Sequence, residues 1–367
     1  MGNTPMGHKP ARYDDGAGVI RHFFTSDAWI DTRAEDQLKH VAALDGVRAM
    51  AAFPDLHPGR HGPVGCTILA DRVHPLLAGG DIGCGMALFQ LDLPARKVKP
   101  DKAAERLRAL GAPPEDGAEA LEAAGLPTDL FADALGTVGG GNHFCELQKM
   151  TETTRPDLDA SCAYLLVHSG SRGLGHEILT AWQTGTLDEP AYLARHDQAV
   201  TWARLNRQRI AERAARALRA DLELVVDSPH NLITPHAGGW LHRKGAAQAG
   251  GLVPLAGTRA TASYLMDASK APDEALASTA HGAGRRFDRR AMHGRVGGSR
   301  SALDALRRTD LGGRVICDDK ALLIEEAPKA YKSAAKVVAD LEATGVATPV
   351  ATLHPVVTYK RAQEGRR

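Results

Sequence analysis

Six short segments of this chain set a metal-competent or nucleophilic side chain beside glycine or in a tight turn. They are Gly79-Gly80-Asp81-Ile82-Gly83-Cys84-Gly85, Gly139-Gly140-Gly141-Asn142-His143, His168-Ser169-Gly170-Ser171-Arg172-Gly173, Pro229-His230-Asn231, His242-Arg243-Lys244-Gly245 and His281-Gly282-Ala283-Gly284-Arg285. Glycine is wanted where backbone must approach a ligand closely or take positive φ, while Asp, Cys and His supply donor atoms of mixed hardness. Taken together the segments read as one polynuclear metal and phosphate site assembled from many loops. That reading constrains the fold. A length of 367 residues would allow two or three domains, but ligands spread from Asp81 to His281 can share a site only if the whole span folds as one.

Composition excludes more than it assigns. Lys and Arg number 45 against 44 Asp and Glu, so no net field advertises nucleic acid, and any such binding rests on a local patch. Five cysteines at uneven spacing (Cys66, Cys84, Cys145, Cys162, Cys317), with no signal-peptide pattern, point to reduced thiols in a cytoplasmic protein. No apolar run approaches the roughly 20 residues of a membrane span. Residues 1–18 lack periodicity and read as a flexible leader, leaving 19–367 as a single catalytic domain.

The segments between the loops alternate in type. Trp29 to Leu44, Lys102–Leu110, Glu115–Ala124, Glu177–Trp182, Tyr192–Leu218 and Tyr331–Leu341 have helical patterns. Val47–Phe53, Gly65–Ala70, Met86–Leu93, Ala163–Val167, Leu222–Val226 and Val350–Leu353 read as strands, the first breaking at Pro54-Asp55-Leu56-His57-Pro58-Gly59. The arginines of the long Tyr192–Leu218 segment read mostly as a solvated face. Strands emptying into functional loops, with helices packed outside, predict a mixed α/β single domain: central β-sheets flanked by helices around a loop-built binuclear metal site.

Each signal has an ordinary alternative. Asp81 and Cys84 alone would fit a glycine turn with a buried thiol, because free Cys is among the most buried residues. A lone His143 would be a satisfied core histidine. His168, leaving a strand into a Ser/Gly loop before a helix, fits phosphate better than an ordinary turn. His230-Asn231 is unremarkable in isolation. His281 is the candidate nucleophile: the small residues after it let a phosphorus centre approach, and neutral imidazole can form a phosphoramidate that passes its phosphoryl group onward. Arg285 has the fork to hold phosphate oxygens.

In order along the chain, Asp81-x-x-Cys84, Gly-Gly-Gly-Asn142-His143-Phe144-x-Glu146, His168-Ser-Gly-Ser-Arg172-Gly, His230-Asn231, His242-Arg-Lys-Gly, Thr261-Ala-Ser263-Tyr264, His281-Gly-Ala-Gly-Arg285 and Glu326-Ala-Pro-x-Ala-Tyr331-Lys332 resemble the RtcB family of RNA ligases. The resemblance runs from about Trp29 to Lys360. It implies two Mn²⁺ ions, one held by Asp81, Cys84 and His143, the other by Cys84, His168 and His230. It also implies GTP as the nucleotide donor, with His281 receiving GMP and Asn142, Glu146, Asn231, Ser263, Tyr331 and Lys360 around the bound nucleotide. Arg172, His242, Arg243, Lys244 and Arg285 are expected along the RNA path, since phosphate contacts need local rather than net positive charge.

The expected activity joins RNA 3′-phosphate or 2′,3′-cyclic phosphate ends to 5′-hydroxyl ends through a histidine–GMP adduct. Gly80-Asp81-Ile82-Gly83-Cys84-Gly85-Met86 stands where the family more usually has Phe-Asp-Ile-Asn-Cys-Gly-Val, and Ala256-Gly-Thr-Arg259-Ala-Thr261 departs from Gly-Ser-Met-Gly-Thr. The first variant, with Pro54-Asp55-Leu56-His57-Pro58-Gly59, where the family has a different residue after the histidine, and the short chain, resembles the subfamily encoded beside peptide chain release factor H, which implies RNA repair. Release factor H and an archease-type activator are the protein partners the resemblance brings with it. A binuclear metallophosphoesterase and a non-catalytic RNA- or ribosome-binding module are the rival readings of the same residues.

Overall fold

The computed structural model describes residues 19–361; the leader expected over residues 1–18 lies outside them. Its strands are β1 (Ile20–His22), β2 (Val47–His57), β3 (Val64–Ala70), β4 (Gly85–Pro94), β5 (Phe144–Thr153), β6 (Cys162–Ser169), β7 (Leu222–Pro229), β8 (Asn231–His236), β9 (Gly239–Lys244), β10 (Ala246–Gln248), β11 (Leu252–Leu255), β12 (Ser263–Asp267), β13 (Ser278–Ala280), β14 (Arg314–Ile316) and β15 (Thr348–Tyr359). The larger sheet runs β11-β12-β15-β5-β6-β4-β7, antiparallel throughout, with β14 added parallel to β15. A second sheet has the order β1-β2-β3-β9-β8, and β10 pairs with β13. The class is the mixed α/β one that the sequence predicts.

Sheet topology explains why distant residues meet. β4 and β5 begin immediately after Cys84 and His143, whereas β6 ends one residue past His168 and β7 ends immediately before His230. In an antiparallel ladder the starts of two strands and the ends of their neighbours share one edge. Gly85 is accordingly opposite both Ser169 and Pro229, and His168 opposite both Met86 and Phe144. From the other side, Ala246 pairs with Ala280, which brings Gly245 beside His281.

The helix Glu189–Leu218 packs across β4 and β6 and is capped by the Asp188 side chain. Its apolar face, including Trp202, Ile210, Ala211 and Ala214, is fully buried. One of its arginines departs from the solvated face read in the sequence. Arg207 is fully buried, pairs with Asp227 at 2.5 Å, and donates to the carbonyls of Gly83 at 2.7 Å and Ser169 at 2.9 Å. It therefore ties the loops that carry Cys84 and His168 to β7. A guanidinium has enough donors to satisfy three partners at once, and a lysine does not offer that fork.

Element boundaries differ where local chemistry overrides periodicity. The Tyr331–Leu341 pattern starts as a helix only at Ala334, because Ser333 caps it. The short strand read over Val350–Leu353 continues to Tyr359, with register shifts at Thr352/Leu353 and Pro355/Val357. β2 does not end at Phe53. It runs to His57, although a register shift between Ala52 and His57 interrupts its pairing with β3. Lys332 Nζ donates to the carbonyls of Pro54 at 2.9 Å and Leu56 at 2.6 Å, satisfying groups that the ladder leaves unpaired. Among the described residues no helix is long and apolar enough to cross a membrane.

Candidate functional site

At the shared sheet edge the side chains of Asp81, Cys84, His143, His168 and His230 converge. Nε2 of His143 is 3.0 Å from Asp81 Oδ2 and 3.4 Å from Cys84 Sγ. On the other side of the sulfur, His168 Nε2 is 3.3 Å from Cys84 Sγ and 3.3 Å from His230 Nε2. Gly170 permits this closeness, since a Cβ there would overlap the Asp81 carboxylate.

Protonation states favour a metal. Nδ1 of His168 donates to the Asn142 carbonyl at 3.3 Å, so its Nε2 lone pair faces the cluster. Burial, reinforced by neighbouring imidazoles, pushes His168 and His230 well below the ordinary histidine value, keeping both rings neutral. Burial and the nearby Asp81 carboxylate push the Cys84 thiol well above its ordinary value. Burial would also raise Asp81, but His143 beside it holds the carboxyl below the usual range. Cys84, His143 and His168 each offer a donor atom within 4.8 Å of the others. Neutral imidazoles, a carboxylate and a thiol that deprotonates on coordination fit divalent metal, with Cys84 central to two groups of donors.

His281 stands next to this cluster, its ring centroid 4.2 Å from that of His230. Its Nδ1 lies 2.7 Å from the Gly245 carbonyl oxygen and 2.8 Å from Asp55 Oδ2. In the neutral ring the proton therefore sits on Nδ1, and Nε2 has the lone pair. Gly284, at φ +70°, lets the chain pass directly over the Asp55 backbone, where a Cβ would collide. Asp55 was not singled out by sequence. It sits in the Pro54–Gly59 segment, which the sequence marks as turn-rich and as a family-motif variant without giving Asp55 a role.

A cavity of about 250 Å³ opens from His281 and the cluster, roughly twenty times the space one water needs. It is lined by Asn142, Glu146, Asn231, Ser263, Tyr331 and Lys360, which the sequence placed around a nucleotide, and also by Arg259, Arg289, Glu326 and Thr358, which it did not. Glu146 accepts from Gln148 at 2.6 Å and Thr358 at 2.5 Å, and burial pushes its carboxyl up to about 7. Asn231 Oδ1 accepts from the Gly245 N–H at 2.7 Å, bracing the His281 contact. Ser263 Oγ accepts from Gly257 N–H at 3.1 Å, and Lys360 Nζ donates to the His143 carbonyl at 2.9 Å.

Arg172, with φ 59°, lines a second polar cavity of about 280 Å³ that shares Asp81, Asn142 and Arg289 with the first. Arg285 pairs with Glu326 at 3.0 Å inside the main cavity. The structure takes His242 and Arg243 off the RNA path read from the sequence. Both are buried: His242 Nε2 accepts from His74 N–H at 2.8 Å, and Arg243 donates to Ser278 and Thr234 at 2.9 Å. Lys244 is buried beside them, its Nζ 3.4 Å from the Gly62 carbonyl. These three alternate on β9 inside two layers of structure, which no one-dimensional pattern reveals.

Glu326 gathers Arg285 at 3.0 Å, Arg289 at 3.4 Å, Lys360 at 3.9 Å and the Tyr331 hydroxyl. Burial alone would raise its carboxyl, but the Lys360, Arg285 and Arg289 charges override that and lower it to about 2 from an ordinary 4.5. A folded-state value below the unfolded one contributes stability that is fully present above pH 4.5 and lost as pH falls toward 2, roughly 3 kcal/mol by linkage. Glu326→Gln is therefore expected to lower the denaturant midpoint at pH 7, with the gap to wild type shrinking below pH 4.5. A gap that stays constant with pH would rule out the ionised Glu326 as its source.

The chain is also similar to known proteins along most of its length. The family model described as tRNA-splicing ligase RtcB matches residues 37–120, 127–190 and 179–361. The chain is similar to the RNA-splicing ligase RtcB2 of Escherichia coli, 42% identical over 360 residues that span 92% of this chain and 94% of that protein. Similarity extends to the RNA-splicing ligase RtcB of Mycobacterium tuberculosis, 29% identical over 88% of this chain and 100% of that protein. The tRNA-splicing ligase RtcB of Archaeoglobus fulgidus is 26% identical over 96% of both chains. With the family model matched across nearly all described residues, the chain belongs to the RtcB family of RNA-splicing ligases.

Proposed function

We propose that this RNA ligase activates an RNA 3′-phosphate with GMP carried on His281 and joins it to a 5′-hydroxyl end. One observation carries the reading: the Gly245 carbonyl and Asp55 hold the N–H of His281 at Nδ1, so in the neutral ring Nε2 is the nucleophilic nitrogen beside the donor cluster. In the first step Nε2 bonds to the α-phosphorus of GTP and the α–β bridging bond breaks, releasing pyrophosphate. Asp55 stabilises the positive charge the ring acquires, as a carboxylate does when it orients a catalytic imidazole. In the second step a 3′-phosphate oxygen of RNA takes the GMP, breaking the N–P bond. In the third step the 5′-hydroxyl attacks the activated 3′-phosphate and GMP leaves.

Asp81, Cys84, His143, His168 and His230 would hold two Mn²⁺ ions, which when bound supply positive charge against the phosphate oxygens. Imidazoles and a thiolate bind Zn²⁺ more tightly than Mn²⁺, so Mn²⁺ is proposed from family membership and not from the donor set.

The chemistry puts the reacting phosphate on the 3′ side, which a gel assay on two substrate pairs tests. With GTP and Mn²⁺, ends bearing 3′-phosphate, or 2′,3′-cyclic phosphate once water has opened it to a 3′-phosphate by breaking the bond to the 2′ oxygen, are expected to join 5′-hydroxyl ends. Ends with 3′-hydroxyl and 5′-phosphate are expected to stay unjoined. Joining only the second pair, or a need for ATP in place of GTP, would refute the proposal. Hydrolysis without a protein adduct would favour a phosphoesterase.

A further inference from the structure

Arg259 belongs to the loop between β11 and β12, yet its side chain is buried, 6% exposed, against the cavity that opens from His281. Its Nη2 donates to the Leu323 carbonyl at 2.9 Å. Its Nη1 is buried and meets no acceptor among the described residues. Glu146 and Glu326 act on it through space, but among the described residues neither forms an ion pair with it. A buried guanidinium with unspent N–H groups is unfavourable unless a ligand accepts them.

We propose that Arg259 is a specificity-determining residue that donates to O6 and N7 of a bound guanine base. This inference rests on the guanylyl-transfer reading. Guanine presents two acceptors along that edge, matching the guanidinium fork, whereas adenine places its N6 amino donor where O6 would be. Facing Arg259, adenine would set donor against donor and leave a buried polar group unpaired.

The rest of the cavity agrees with that orientation. His281 and the donor cluster occupy the phosphate end. Glu146, anchored by Thr358 and Gln148, lines the same cavity within Coulomb range of Arg259. In its ionised form Glu146 is an acceptor suited to the N1–H and N2 amino donors of guanine. Arg285 and Arg289, by contrast, are already paired with Glu326. Arg259 is thus a cation in this cavity whose Nη1 no described residue accepts.

Calorimetric titration of the Mn²⁺-loaded protein with GMP, 7-deaza-GMP and AMP tests the assignment without any turnover. Wild type is expected to prefer GMP to AMP and to bind 7-deaza-GMP, which lacks N7, more weakly than GMP. Arg259→Ala should weaken GMP about tenfold to a hundredfold, leave AMP within a few-fold, and abolish the penalty for losing N7. Arg259→Lys, which keeps the charge and most of the packing but not the fork, should fall between the two. Retained AMP binding shows that a variant is folded. An unchanged GMP-to-AMP ratio in both variants would overturn the inference, as would equal losses for the two nucleotides, which would make Arg259 a phosphate ligand. If wild type bound no nucleotide at all, the guanylyl-transfer reading itself would fail, and the inference with it.

Discussion

Incubated with α-labelled GTP and Mn²⁺, wild-type protein is expected to acquire an acid-labile label that survives denaturing electrophoresis, and His281→Ala to acquire none. The expected loss exceeds a thousandfold, roughly what removing a nucleophile costs other covalent enzymes. Other imidazoles nearby cannot take over. Nε2 of His168 and of His230 face each other, and that of His168 also faces the Cys84 sulfur, so neither projects a free lone pair toward a nucleotide. The fold is expected to tolerate the change. His281 loses its side-chain contacts with the Gly245 carbonyl and the Asp55 carboxylate, while its backbone N–H still donates to Asp55 Oδ2 at 3.3 Å. A net loss of about 1–3 kcal/mol follows, and metal content should match wild type. Label persisting on the variant would show that another group is the nucleophile. Loss of label together with loss of metal would show that His281 helps hold the cluster.

How much of this was legible in the sequence depends on where each residue's partner lies. Cys84, His143, His168 and His230 were readable because each adjoins a strand boundary, and glycine or an apolar run marks those boundaries locally. Their convergence follows from antiparallel pairing alone, in which Gly85 meets Ser169 and Pro229. Asp55 was hidden for the opposite reason. Proline beside it signals the end of a ladder, whereas here the pairing shifts but the strand continues, and Lys332 takes the orphaned carbonyls.

Arg207 departs from its expected place because composition assigns charged side chains to solvent, and His242 and Arg243 because a short basic motif reads as a phosphate contact. Each instead satisfies backbone or hydroxyl groups inside the fold. Their partners lie on other elements, so spacing along the chain carries no trace of them. Glu326 and Arg259 belong to the same class. Glu326 stood in a recognised motif without a role, and only the structure shows it gathering Arg285, Arg289, Lys360 and Tyr331.

Cys84→Ala is expected to have the second large effect, through the metal. The sulfur stands between two groups of donors, 3.4 Å from His143 Nε2 and 3.3 Å from His168 Nε2, with Asp81 beyond the first and His230 beyond the second. A thiolate placed there can serve both groups. Its removal leaves two incomplete sets, Asp81 with His143 and His168 with His230. Elemental analysis of purified variant should find at most one ion per chain, and the rate of labelling on His281 should fall more than about a hundredfold, beyond the loss typical of an outer-shell change. Because the thiol is held protonated by burial and by Asp81, metal binding by wild type should also release a proton that the variant does not. Cys145→Ala supplies the control. That thiol is fully buried in the apolar cluster with Phe89, Leu147 and Val167, so its loss should cost about 1–2 kcal/mol of stability and leave metal content unchanged. Wild-type metal stoichiometry in Cys84→Ala would show that the sulfur is a packed thiol and that the metal ions, if bound, are held by the histidines and Asp81 alone.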